Sequence, residues 1–151
     1  MNKVTTRATT ASTGALPTYA ELQEFMRTVP PQYRSQGVNT AWLMSDSTFG
    51  QLRAILTSTG FPLLWPANDA DSPDLLGYPV KYAPSLGDAT AGTVPILFGA
   101  WDLGFAVRQV RGLQFRILNE KYFPNVAVAG SIRLDSHITQ AVATAGLAIH
   151  A

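Results

Sequence analysis

With 151 residues, 46% of them apolar, and three Trp, five Tyr and seven Phe, the chain has enough to bury for one domain and too much for disorder. A formal net charge of +1 excludes the strong basic footprint of a stand-alone nucleic-acid binder, and the absence of cysteine excludes a disulfide framework or a thiolate metal site. Charged residues make up only 14%, against about 25% in an average domain, so either small polar residues cover an ordinary surface or part of that surface is buried against other chains.

Met1 to Ala15 alternate Thr and Ser with Ala and Gly, which reads as an arm, or as a Thr-rich edge strand where it finds a partner. Thr18-Tyr19-Ala20-Glu21 fits a capping box, and Leu22, Phe25, Met26 and Val29 then form one apolar stripe, predicting a core-packed helix over 18–29 that Pro30-Pro31 ends. Asn39 to Met44 reads as a buried strand. Ser45 is the N-cap of a second helix over 46–59, with Phe49, Leu52, Ile55 and Leu56 inward and Gly60 as its stop.

Phe61-Pro62-Leu63-Leu64-Trp65-Pro66 then places large apolar side chains between prolines that forbid regular structure. Such a loop is either a contact surface or a lid over its own core. Tyr78 to Ala83 and Val94 to Gly99 read as strands. Ala106 to Val110 and Leu113 to Leu118 suggest a hairpin turning at Arg111-Gly112, followed by extended chain over Val126 to Leu134 and Gln140 to Ile149. Helices early and strands late give an α+β class.

The residues with chemical potential are sparse. Asp69, Asp71 and Asp74 share a turn, but a calcium loop needs about six oxygen ligands closed by a Glu, and Pro73 interrupts the run. His137 stands two residues from Asp135, on the same side of a strand, while His150 lies apart. No G-x-S-x-G elbow, H-E-x-x-H pair or glycine-rich phosphate loop occurs. Arg108, Arg111 and Arg116 bracket the proposed hairpin as a basic edge that protects it from strand pairing, forms inter-subunit salt bridges or meets nucleic-acid phosphates, although phosphate contacts call for more clustered Lys and Arg.

The order of elements carries a resemblance. Trp42-Leu43-Met44-Ser45 leads into a helix, then come Gly60-Phe61-Pro62-Leu63, Leu75-Leu76-Gly77-Tyr78-Pro79-Val80 and Ile96-Leu97-Phe98-Gly99-Ala100-Trp101. Over residues 17–151 this resembles the C-terminal half of the major capsid proteins of tailed bacteriophages, the Hong Kong 97-type fold. The resemblance implies an axial-type mixed sheet flanked by two helices over 17–105 and 131–151, peripheral-domain strands over 106–130, and an arm over 1–16.

It also implies a structural, non-enzymatic protein of the virion, present in the host cytoplasm during assembly. Its partners would be other copies of itself, in pentamers and hexamers, with no cofactor, metal or membrane and packaged DNA touched only indirectly. The candidate subunit interface is Phe61, Leu63, Leu64 and Trp65 together with Arg108, Arg111 and Arg116. The family's N-terminal arm, extended loop and spine helix are expected upstream of such a half, so the chain reads as a fragment, a prophage remnant or an expressed piece. The Lys–Asn cross-link of some members is not carried over, because Asn125 has only Gly130-Ser131-Ile132 where a Glu is expected. Two rival readings stand beside this one: an encapsulin-type shell, and a small α+β enzyme or ligand-binding domain gathering Asp135, His137 and the Asp69–Asp74 turn around a cleft.

Overall fold

The computed structural model describes residues 4–11, 14–35, 38–55, 74–118 and 124–151. Helix α1 (Tyr19–Arg27) starts where the capping box predicts: the Thr18 hydroxyl accepts from the Glu21 N–H, and the Glu21 carboxylate accepts from the Thr18 N–H at 2.6 Å. The other oxygen of Glu21 accepts from the Ala11 N–H, also at 2.6 Å, and so ties the preceding segment to the helix. Glu21 is partly desolvated, which raises its pKa. Hydrogen bonds from the backbone of Thr18 and Ala11 and from the Thr18 hydroxyl outweigh this and hold the carboxyl below its ordinary value. A 3₁₀ turn (Pro31–Tyr33) follows, and the Arg34 side chain caps the Val29 carbonyl at 2.9 Å.

The Trp-x-Met-Ser run has a simple physical reading. Strand β2 (Thr40–Met44) points Trp42 and Met44 to one face, and Ser45 then caps helix α2 (Asp46–Arg53) by accepting from the Thr48 N–H. That helix ends before the predicted residue 59. Ala54 is its C-cap, with an N–H shared between the Gly50 and Gln51 carbonyls, and Ile55 bonds back to Leu52 in a 3₁₀ tightening of the last turn. The stop at Gly60 lies outside the described residues.

Strands β3 (Asp74–Leu75) and β4 (Tyr78–Tyr82) form a hairpin through Leu76 and Gly77, whose φ values of 52° and 80° are both left-handed. Such a two-residue turn matches strand twist and needs glycine at one position at least. Strand β5 (Ile96–Ala100) runs into the short helix α3 (Trp101–Gly104) and then into β6 (Phe105–Leu118). Strand β7 (Ala127–Ile138) returns from β6. A 3₁₀ turn (Ala141–Ala143) then leads to the last strand, β8 (Thr144–Ala148).

Six strands form a mixed sheet, counting strand β1 (Thr6–Thr9), in the order β1-β8-β5-β2-β4-β3; β1 runs parallel to β8 and β2 to β4. The Thr-rich segment thus pairs as an edge strand, the alternative to a free arm. Register aligns Val80, Trp42, Phe98 and Ala145 in one row across the sheet, with Ile96 opposite Leu147 on the same face. Both helices pack on that face: the Phe25 ring lies 5.9 Å from Trp42 and Phe49 meets Tyr82 edge-on at 5.5 Å. Trp42 is fully buried, packs in a tilted arrangement with its ring centroid 4.4 Å from that of Phe98, and donates its indole N–H to the Leu75 carbonyl at 2.8 Å. On the opposite face the row is Ala41, Gly99 and Thr144, small residues over which α3 and the 141–143 turn close.

The expected hairpin turn at Arg111-Gly112 is not formed. Strand β6 passes straight through these residues and pairs with β7 in a separate two-stranded ribbon. A tight turn requires left-handed φ at its central residues, which an arginine resists, and Gly112 has no positive φ here. The surplus residues are absorbed instead as two register shifts, between Gln109 and Arg111 and between Arg111 and Gln114. The return strand also runs to Ile138, past the boundary expected at residue 130, so 131–138 belong to the ribbon rather than to the main sheet.

Candidate interaction surface on the ribbon

Alternation along the two strands gives the ribbon two faces, and the register assigns them. Phe105 pairs with Ile138, Val107 with Ser136, Gln109 with Leu134, Phe115 with Gly130 and Ile117 with Val128. The Gly130 position lies against the Phe115 ring and the Leu113 side chain, so these share a face. This face is apolar and open to solvent: Phe115 is 68% exposed, Ile117 67% and Val128 63%.

The other face is basic. Arg108 pairs with Asp135, Arg111 with Arg133, Gln114 with Ser131 and Arg116 with Ala129. Straight alternation would send Arg111 to the side opposite Arg108 and Arg116. The first register shift brings Arg111 over, and the second restores Arg116 to the same side. The result is a concavity of about 390 Å³ lined by Arg111, Gln114, Arg116, Ser131 and Arg133, with Val110 and Gly112 at its edge.

Of the residues singled out from sequence, Arg108, Arg111 and Arg116 are brought together on one face. Phe61, Leu63, Leu64 and Trp65 lie outside the described residues, as do Asp69 and Asp71. Arg133 completes the basic face and was missed. Its signal, the alternation Arg133-x-Asp135-x-His137, becomes readable only once the register of the opposing strand is known. The cleft of the rival enzyme reading does not form from the described residues: Asp135 and His137 stand exposed on β7, whereas Asp74 is exposed on β3 in the main sheet. Among the described residues no group of three His, Cys, Asp or Glu is placed to hold a metal ion, and no helix is long and apolar enough to cross a membrane.

Comparison with known proteins gives a consistent picture. A sequence model of the phage capsid family matches residues 1–148. The fold is similar to the capsid of an empty GTA particle, computed with C5 symmetry, with a TM-score of 0.84 and 22% identity over 95% of this chain and 49% of that one. It is also similar to structures from Gordonia phage Cozz, at TM-score 0.62 and 16% identity over 95% and 50% of the two chains, and Mycobacterium phage Patience, at 0.55 and 14% over 94% and 44%. The chain spans about half the length of these structural neighbours. No curated protein matches it.

Proposed function

The chain belongs to the phage capsid family, and from that premise we propose that it is a structural subunit of an icosahedral phage or prophage head, working by contact with other copies of itself rather than by catalysis. The observation that carries this reading is the apolar face of the β6–β7 ribbon. A two-stranded ribbon is marginal on its own in water, and one displaying Val107, Leu113, Phe115, Ile117, Val128 and Leu134 to solvent is a surface built to be covered. Full burial of each such side chain contributes about 1.5–3 kcal/mol, so a few of them suffice to drive association. The 14% content of charged residues fits the same reading, since contact cores are depleted in Lys, Glu and Asp.

In this scheme the six-stranded sheet with α1 and α2 is the axial-type body and the ribbon the peripheral-type extension. Rings of identical subunits need two different patches that meet. The ribbon's apolar face supplies one, with Arg108, Arg111 and Arg116 on the face behind it. The segment with Phe61, Leu63, Leu64 and Trp65 is the candidate for the other, in pentamers and hexamers of the virion shell assembled in the host cytoplasm.

Light scattering on the purified chain tests the proposal. Wild type is expected to give discrete oligomers of several subunits. Phe115→Asp, at a position where the side chain is 68% exposed, is expected to give monomers with an unchanged circular dichroism spectrum. A wild type that stays monomeric as concentration rises would remove the basis of this reading.

A further inference from the structure

We propose that the basic face of the ribbon is a binding site for the phosphodiester backbone of double-stranded nucleic acid, held through Arg111, Arg116 and Arg133 without reading sequence. The starting point is an arrangement unfavourable within the chain itself. Arg111 and Arg133 are direct cross-strand partners, and like charges in that relation destabilise a strand pair. Arg116 lines the same concavity, and among the described residues no carboxylate does. Among the described residues these three guanidiniums make no ion pair; the carboxylate on this face, Asp135, stands opposite Arg108 in the register. Two register shifts in one strand are what place the arginines together, and such shifts characteristically re-aim side chains. Among the described residues no carboxylate balances these three charges, which a bound polyanion would do.

The chemistry of the lining selects the ligand. Guanidinium forks match phosphate oxygens two at a time, and a Gln amide and a Ser hydroxyl beside them are the neutral groups that commonly join arginine on a nucleic-acid backbone. Arg111 and Arg133 face each other across the ribbon and Arg116 lies farther along the same face, so the positive charge extends along the ribbon as a linear polyanion would require. Phe115, next to Arg116 in sequence, points to the opposite face, so among the described residues no ring beside these arginines offers a base a stacking partner, which favours a duplex over a single strand. This inference does not rest on shell assembly and departs from the expectation that packaged DNA is touched only indirectly.

The test is fluorescence anisotropy of the purified chain with labelled DNA duplexes of two unrelated sequences, titrated across a range of salt, with polyglutamate as a second probe. Three neutralised phosphates predict a slope of log affinity against log salt of about −2.7, equal for both sequences. The double variant Arg111→Gln, Arg133→Gln is expected to reduce the slope to about −0.9, and the pair Arg111→Lys, Arg133→Lys to keep most of it. Absence of duplex binding at low salt, or an unchanged slope in the Gln variant, overturns the proposal. Polyglutamate binding tighter than the duplex and lost in the Gln variant overturns it too, in favour of an acidic protein surface.

Discussion

Gly99→Ala isolates one contact on which the fold depends. A Cβ at residue 99 would stand 2.5 Å from the Ala143 carbonyl oxygen and 2.7 Å from the Thr144 Cα, well inside the 3.4 Å at which ordinary contact begins. Both are backbone atoms, so no side chain can swing away; strands β5 and β8 must part where the chain re-enters the sheet from the ribbon. Overpacking a core costs about 1–3 kcal/mol, and a backbone obstacle places this case at the upper end. At roughly 2–4 °C per kcal/mol for a chain of this size, Tm falls by about 6–12 °C. The same chemical change at Gly50 has the opposite sign. That glycine is exposed in the interior of α2 with nothing within 4 Å of the added methyl, so Ala gains about 0.8–1 kcal/mol of helix propensity and raises Tm by a few degrees. Circular dichroism melts of the two variants beside wild type settle the matter. A Gly99→Ala protein that melts with wild type, or a Gly50→Ala protein that melts below it, refutes the packing argument.

Other consequences follow from single residues. Thr144 is 1% exposed and its hydroxyl has no partner among the described residues, so Thr144→Val is expected to stabilise the chain by about 1 kcal/mol in urea titration, where a lowered midpoint would contradict it. Thr18→Ala removes the cap of α1 and should cost about 1 kcal/mol at neutral pH, read as a Tm loss of a few degrees. Glu21 has a folded pKa held below its ordinary value, so its stabilisation is fully present above the unfolded-state pKa and is lost as pH falls through the folded one. Glu21→Gln should therefore melt below wild type at pH 7, with the gap closing in acid; a gap that is constant with pH contradicts the hydrogen-bonded carboxylate.

The elements with strong local signals are legible in the sequence alone. Thr18, Glu21 and Ser45 announce helix starts through chemistry confined to four residues, and the short apolar run ending at Met44 announces β2 as a buried strand. The ribbon was legible as strand but not as topology. Strand pairing is a long-range choice, and the Arg111-Gly112 pair resembles a turn locally while the energetics of left-handed φ at arginine oppose one. Period-two alternation fails where a register shift occurs, so nothing in the order of residues shows that Arg108, Arg111, Arg116 and Arg133 share a face. The end of α2 was misplaced because the apolar stripe continues through Ile55 and Leu56 after the backbone has already tightened into 3₁₀ bonds at Ala54.

The central claim is that subunits meet through the apolar face of the ribbon, and a chain without native cysteine makes a direct measurement possible. Single replacements Ile117→Cys on the apolar face and Gln114→Cys on the basic face are reacted with a maleimide in assembled oligomers and in dissociated chains. Burial of the apolar face predicts that assembly slows labelling at residue 117 many-fold and leaves residue 114 reactive. Equal labelling of residue 117 in both states would contradict the claim.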